Sequence, residues 1–237
     1  KHALVCGASE GIGRAAAIEL ARLGADVTLL ARREAVLLDV LSTLPADGQQ
    51  RHGFVCADVA DTAALRDSVG ELARERPLHI LINNTGGPPG GTAYGADVAA
   101  YLDAFNRHLV ANHTLMQAAL PGMRDAGWGR IVNVISTSVY EPIPNLGVSN
   151  TVRGAVASWA KTLSRELGGD GITVNNVLPG YTRTQRLDQI LADRSAATGK
   201  PQDEIAKGML ASVPVGRFAD AGEIGGVIAF LCPPAAA

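Results

Sequence analysis

Short apolar runs alternate along this chain with longer stretches of helical period, and that alternation does most to limit what it can fold into. The runs are "HALVCGA", "DVTLLA", "GFVCADV", "HILINNTGG", "GRIVNVIS" and "GITVNNVLPG". Each is apolar almost throughout rather than at every second residue, as expected of strands covered on both faces in a parallel sheet. Between them, apolar residues recur on one helical face. Residues 12–23 carry Ile12, Ala15, Ala16, Leu20 and Leu23 ahead of Gly24, and similar stretches cover 35–44, 62–74, about 98–125 and about 149–168. Six strands with helices between them give an α/β class. No linker-like tract divides the 237 residues, so residues 1–237 are expected to form a single domain.

Charge narrows the partners. A formal net charge of −2 with both signs interspersed offers no basic field for nucleic acid and no basic amphipathic stretch for a membrane surface. No apolar run approaches the roughly 20 residues of a spanning helix. The start enters a strand pattern without a charged leader, so a soluble, cytoplasmic protein is expected. Cys6, Cys56 and Cys232 are odd in number, widely spaced and set in apolar contexts; buried reduced thiols are expected rather than disulfides. The five histidines form no ligand-spaced cluster, and no metal is expected.

The first strand runs into "GASEGIGRAAA", where Gly7, Ser9, Glu10, Gly11, Ile12 and Gly13 make a turn that opens a helix. Glycines let the backbone come close to a pyrophosphate, and a helix N-terminus supplies amide hydrogens to hold it. Strand, turn and helix together point to a dinucleotide rather than to a merely structural turn. The end of the second strand selects between the two nicotinamide dinucleotides: an acid there grips ribose hydroxyls, whereas a cation accepts a 2′-phosphate. In "LLARRE", Ala31 stands where the acid would be and Arg32 and Arg33 follow, which favours NADPH over NADH. Glu10 opposes this mildly, and two solvated arginines are the alternative.

With "GASEGIG", "CADV", "LINNTGG", "GRIVNVIS" and "VLPGYTRT" in this order and spacing, the chain resembles the short-chain dehydrogenase/reductase family, in particular its 3-oxoacyl reductases. The resemblance implies a Rossmann-type doubly wound parallel sheet with helices on both faces. It also implies that Asp58 and Val59 contact the adenine, that Asn84 and Gly86 line the cofactor cleft, that Pro179 and Gly180 begin a loop against the nicotinamide, and that Thr182 and Thr184 contact its carboxamide and the phosphates. Cys6 stands where the family usually has Thr. Family chains usually continue into a last glycine-rich strand, and no such segment follows "IAFLCPPAAA".

Four side chains do the chemistry in that family: an Asn, a Ser, and a Tyr and Lys one helical turn apart. Ser136 matches the Ser. Thirteen residues on stands Ser149 and four further Arg153, while His108 occupies the Asn position. This pattern resembles a divergent subgroup of the 3-oxoacyl-reductase-like proteins. Ser149 and Arg153, at i and i+4, share one helical face. A Ser hydroxyl is too short and too weakly acidic to replace a phenol. A guanidinium can hold ribose hydroxyls and stabilise a developing alkoxide, but it cannot shuttle a proton. The proton is then expected from water, from His108, or from Tyr140 in "STSVYEP". Structural alternatives stand beside each role: Tyr140 as a loop packing residue, His108 as an ordinary helix residue, Ser149 as a helix N-cap, and Arg153 as the partner of a nearby carboxylate.

Residues 185–212 have helical period, with Leu187, Ile190, Leu191, Ile205, Met209 and Leu210 inward; in the family this region is a lid over the substrate. Its apolar face implies a small carbonyl substrate with a hydrophobic portion. The expectation is an NADPH-dependent reductase of a 3-oxoacyl thioester or related 3-oxo compound, assembled as a homodimer or homotetramer through the helices at 98–125 and 149–168. The alternative is a non-catalytic dinucleotide-binding regulatory or scaffolding relative.

Overall fold

The computed structural model describes residues 1–236. Its elements in chain order are β1 (His2–Cys6), α1 (Gly11–Arg22), β2 (Asp26–Ala31), α2 (Glu34–Ser42), β3 (Gly53–Cys56), α3 (Thr62–Glu75), β4 (Ile80–Asn83), α4 (Val98–Phe105), α5 (Ala111–Asp125), β5 (Gly129–Val134), α6 (Gly147–Leu167) and β6 (Ile172–Val177). Then follow β7 (Thr182–Arg183), α7 (Gln185–Thr198), α8 (Gln202–Leu210), β8 (Ala219–Asp220) and α9 (Ala221–Phe230). The first six strands form one parallel sheet in the order β3-β2-β1-β4-β5-β6. The alternating pattern gave the parallel α/β sheet, and its order is the Rossmann-type arrangement that the family resemblance implied.

Burial explains why the strand runs are apolar throughout. Ala3 and Val5 of β1 join Leu20, Val27, Leu29 and Ile228 in a core under α1, α2 and α9. Leu4 and Cys6 face the other way, toward Leu65, Leu81, Leu115, Met123 and Leu163 beneath α3, α5 and α6. Each face is covered, so most members of both alternating sets are apolar. At the ends of the strands the pattern changes. Asn83, Asn133 and Asn176 are register partners across β4, β5 and β6. The Asn83 amide donates to Asn133 Oδ1 at 2.9 Å, and the Asn133 amide donates to Asn176 Oδ1 at 3.1 Å.

Strand order reverses between β1 and β4, and a crevice forms outside the strand C-termini at such a switch point. The turn after β1, the loops after β4, β5 and β6, and the start of α7 all meet there.

Three expectations are corrected. The stretch 98–125 is not one α-helix: a π-turn at Asn106–Val110 separates α4 from α5, and the Asn106 amide anchors it to the Ala60 carbonyl at 2.8 Å. Cys56 is exposed, unlike buried Cys6 and Cys232, because β3 is a four-residue edge strand without full cover; its thiol donates to the Arg32 carbonyl. Ser149 is not an N-cap. The loop after β4 pins the chain earlier, through Gly91 N to the Asn145 carbonyl at 2.8 Å and Gly147 N to the Gly91 carbonyl at 2.9 Å. α6 therefore starts at Gly147 with Leu146 as its cap. No helix among the described residues is long and apolar enough to cross a membrane.

Candidate active site

The turn after β1 has the shape a pyrophosphate needs. Gly7 and Gly11 have φ of +59° and +54°, values that favour glycine. A Cβ on Gly13 would lie 2.2 Å from the Gly7 carbonyl oxygen and 2.8 Å from the Asn84 amide nitrogen. Asn84 reaches over from β4 to donate to the carbonyls of Cys6 and Gly7, at 3.3 and 3.5 Å. Glu10 is the N-cap of α1, yet its side chain makes no capping bond and no acidic residue sits in the first turn. The first amide hydrogens of α1 are thereby left for an anion, with Ser9 and Ile12 at the turn. A dinucleotide fits this cradle.

On the adenosine side, Arg33 Nη2 binds Glu10 Oε2 at 2.9 Å, while Arg32 is exposed and joins no ion pair among the described residues. The two charges that conflict in the sequence thus neutralise each other, and Arg32 alone is free to meet a 2′-phosphate. Asp58 accepts from Ala60 N at 2.9 Å and lies 3.4 Å from Arg107, which also holds Asp103; Val59 is half-buried beside it.

The catalytic candidates gather beyond β5. Ser136 Oγ accepts from Ser138 N at 3.1 Å, which caps the short 3₁₀ turn Thr137–Val139 and leaves the hydroxyl hydrogen free. That turn swings Tyr140 outward to 87% exposure, so it is not a packing residue. Ser149 and Arg153 are both buried on one face of α6, Arg153 at 9% exposure. Arg153 Nη1 donates to the Val134 carbonyl at 2.6 Å and Nη2 to the Thr85 carbonyl at 3.5 Å; its buried Nε has no partner. Among the described residues no carboxylate pairs with it. Burial, and after it the charge of Arg186, lowers its pKa to about 10, which still leaves it a cation at neutral pH. The π-turn brings His108 inward to 4% exposure. Burial, then Arg153, Arg107 and Arg186, push the His108 pKa down to about 3, so this imidazole is neutral at ordinary pH and cannot serve as a cationic acid.

Gly86, Pro179 and Gly180 border the crevice on the loops after β4 and β6, and no atom would crowd a Cβ at Gly86 or Gly180. Thr182 is buried in β7 and donates to the Gly180 carbonyl at 3.2 Å. Thr184 stands at the N-cap position of α7, without a side-chain capping bond, and lies against the cradle: a Cβ on Gly11 would be 3.1 Å from its Cγ2. Two residues further, Arg186 turns across the crevice to donate to the Pro88 carbonyl at 2.6 Å. Nothing in the sequence pattern singled Arg186 out; it reads there as one more outward charge on a lid. In the lid, Leu187 and Met209 are buried, and Ile190, Leu191, Ile205 and Leu210 half-buried. Tyr181, Asn145, Arg194, Ile205 and Met209 help line an open pocket of about 410 Å³ between the lid helices and the loop that leads into α6.

Known proteins resemble this chain in both sequence and fold. The family described as short chain dehydrogenase matches residues 1–195. The chain belongs to the short-chain dehydrogenase family. Among its relatives in that family is the 3-oxoacyl-[acyl-carrier-protein] reductase of Pseudomonas aeruginosa, 33% identical over 242 residues that span 100% of this chain and 92% of that one. An L-sorbose reductase of Gluconobacter frateurii, solved with NADPH and L-sorbose, superposes with a TM-score of 0.91 at 28% identity, covering 100% of this chain and 90% of that one. An actinorhodin polyketide ketoreductase solved with NADPH gives 0.91 at 28% identity, covering 100% and 91%. A short-chain dehydrogenase places its dinucleotide at the β1–β4 switch point. Here the glycine cradle, Asn84 and Arg153 meet at that place.

Proposed function

We propose that this chain is an NADPH-dependent reductase of a small carbonyl compound, a divergent relative of the 3-oxoacyl reductases with Ser149 and Arg153 where Tyr and Lys usually stand. The observation that carries this reading is Arg153: a guanidinium buried beside a dinucleotide cradle, with no carboxylate partner among the described residues and with its Nε unpartnered. Burying an unpaired cation is expensive, and a fold that keeps one does so where negative charge arrives or develops. The relatives solved with NADPH support the choice of dinucleotide.

Gly7, Gly11, Gly13 and the start of α1 would hold the pyrophosphate, Arg32 the 2′-phosphate, and Asn84, Thr182 and Thr184 the nicotinamide half. When bound, the dinucleotide supplies a hydride to the carbonyl carbon. Arg153 stabilises the charge that gathers on the carbonyl oxygen, an effect worth about 100- to 1,000-fold in rate. Ser136 directs its free hydroxyl hydrogen to the same oxygen. The proton that completes the alcohol comes from water, which leaves hydroxide to the solvent. Ser149 and neutral His108 each both donate and accept, so they can pass that proton inward. The lid formed by α7 and α8 excludes bulk water and covers a hydrophobic portion of a 3-oxoacyl thioester or related 3-oxo compound. Exposed Val98, Leu102 and Phe105 form one stripe on α4 through which copies would pair into a homodimer or homotetramer.

The test is titration of NADPH and NADH by fluorescence, followed by turnover on a panel of 3-oxoacyl thioesters and simple ketones. NADPH oxidation that falls at least 100-fold in Arg153→Ala supports the reading. The second reading, a non-catalytic dinucleotide-binding regulatory or scaffolding relative, is favoured by outward Tyr140 and uncharged His108, neither of which is a ready proton donor. Tight NADPH binding without oxidation across the panel would put it ahead.

A further inference from the structure

Two guanidinium groups stand on one wall of the crevice, and neither makes an ion pair among the described residues. Arg153 is tied to the Thr85 carbonyl and Arg186 to the Pro88 carbonyl, three residues apart on the loop after β4. Each is close enough to His108 to hold its proton off, and Arg186 also acts on Arg153. The acids in this part of the fold are engaged elsewhere or lie apart. Arg107 takes up Asp58 and Asp103, and Asp193, the carboxylate that Arg186 senses, is beyond ion-pair distance. Two cations and a neutral imidazole thus face the crevice, and among the described residues neither cation is in ion-pair contact with an acid.

Carbonyl ties do not account for this arrangement. Each guanidinium has five N–H donors, and Arg186 spends one of them, by Nη2, on the Pro88 carbonyl. Arg153 spends two and keeps its buried Nε without a partner. Arg186 also sits in the first turn of α7, where a cation is opposed by the helix dipole. An incoming anion at Arg186 meets its free N–H donors, offsets the opposing helix dipole and lowers the repulsion between the two guanidinium groups. The phosphates of a dinucleotide are the other possible source of anionic oxygens, but the cradle that fits them lies at Gly11, on the side that Thr184 faces. Arg186 turns from there to the opposite wall.

Building on the reductase reading, we infer that the carbonyl substrate is an oxo acid whose free carboxylate is held by Arg186, with Arg153 left to the carbonyl oxygen. A guanidinium matches a carboxylate in a planar, two-point pairing that an ester or thioester cannot make. The substrate's acid group would then orient its carbonyl beneath Ser136, and the neutral thioester would be the poorer ligand.

The test uses matched probes: 2-oxohexanoate, 3-oxohexanoate and 4-oxopentanoate, each against its methyl ester, titrated calorimetrically into the full chain with saturating NADP⁺. At least one acid is expected to bind tenfold or more tightly than its ester. Arg186→Met is expected to erase that preference and leave NADPH affinity within twofold, while Arg186→Lys, which keeps the charge, retains part of it. No acid outbinding its ester overturns the inference. So does an Arg186→Met variant that weakens NADPH tenfold and leaves the acid preference intact, since the arginine would then serve the cofactor's phosphates. Failure of the wild type to bind NADPH sinks the reductase reading instead, and the same titrations without nucleotide still decide whether an acid is preferred.

Discussion

Arg153 and Glu10 show how far a single side chain can carry this site. Arg153 pairs with carbonyl oxygens rather than acids, so its charge is a burden to the unliganded fold. Arg153→Met should therefore melt at a temperature at least as high as the wild type while losing 100-fold or more in turnover; a melting temperature several degrees lower would show a structural role. Glu10 holds Arg33 at 2.9 Å, in an exposed pair worth at most about 1 kcal/mol. Glu10→Gln should free that guanidinium and tighten NADPH by up to about fivefold with little change for NADH, measured by fluorescence titration. The candidates at positions 108, 149 and 153 came from the family resemblance, Ser149 and Arg153 by counting on from Ser136 and His108 by counting back along its helix. Whether a given side chain meets an acid could not be read that way. That depends on neighbours far along the chain, such as Thr85 and Pro88, which bring Arg153 and Arg186 to one wall.

At the level of elements, the close approach of α1 to the end of β1 is the feature most sensitive to change. Gly13→Ala would put a methyl 2.2 Å from the Gly7 carbonyl oxygen, so the turn must shift. Overpacking of this kind costs roughly 1–3 kcal/mol. Chemical denaturation should show that loss, and NADPH affinity should fall more than tenfold with it. All six strands and the helices between them were legible in the sequence, since apolar runs covered on both faces and one-sided helical stripes differ in period. The π-turn was not: one extra residue inside a long apolar stripe barely disturbs the pattern, yet it carries His108 into the crevice. The two-residue strands β7 and β8 were also invisible, because Thr182–Arg183 and Ala219–Asp220 carry no period and pair only through the fold around them. Cys56 misled for a related reason, since an apolar run does not reveal that its strand lies at the edge of the sheet.

For the molecule as a whole, buried histidines set the response to acid. Burial, and then Arg76, lower the His2 pKa to about 4, and His108 lies near 3. Both values are below the ordinary 6.5, so between pH 6.5 and about 4 the unfolded chain takes up protons that the folded chain refuses. Stability is then complete above pH 6.5 and falls as pH drops, by about 1.4 kcal/mol per pH unit for His108. Urea midpoints at pH 7 and pH 5 should differ accordingly, and His108→Asn should remove its share of the slope. Stability should also bear on the partners of the sheet. The asparagine rung that crosses β4, β5 and β6 works as an alignment key: a slip of one residue in any of these strands would turn an amide toward the aliphatic helices and strand its neighbours. The second half of the sheet can therefore be assembled in one alignment only, and its backbone amides should be among the last to exchange with deuterated water.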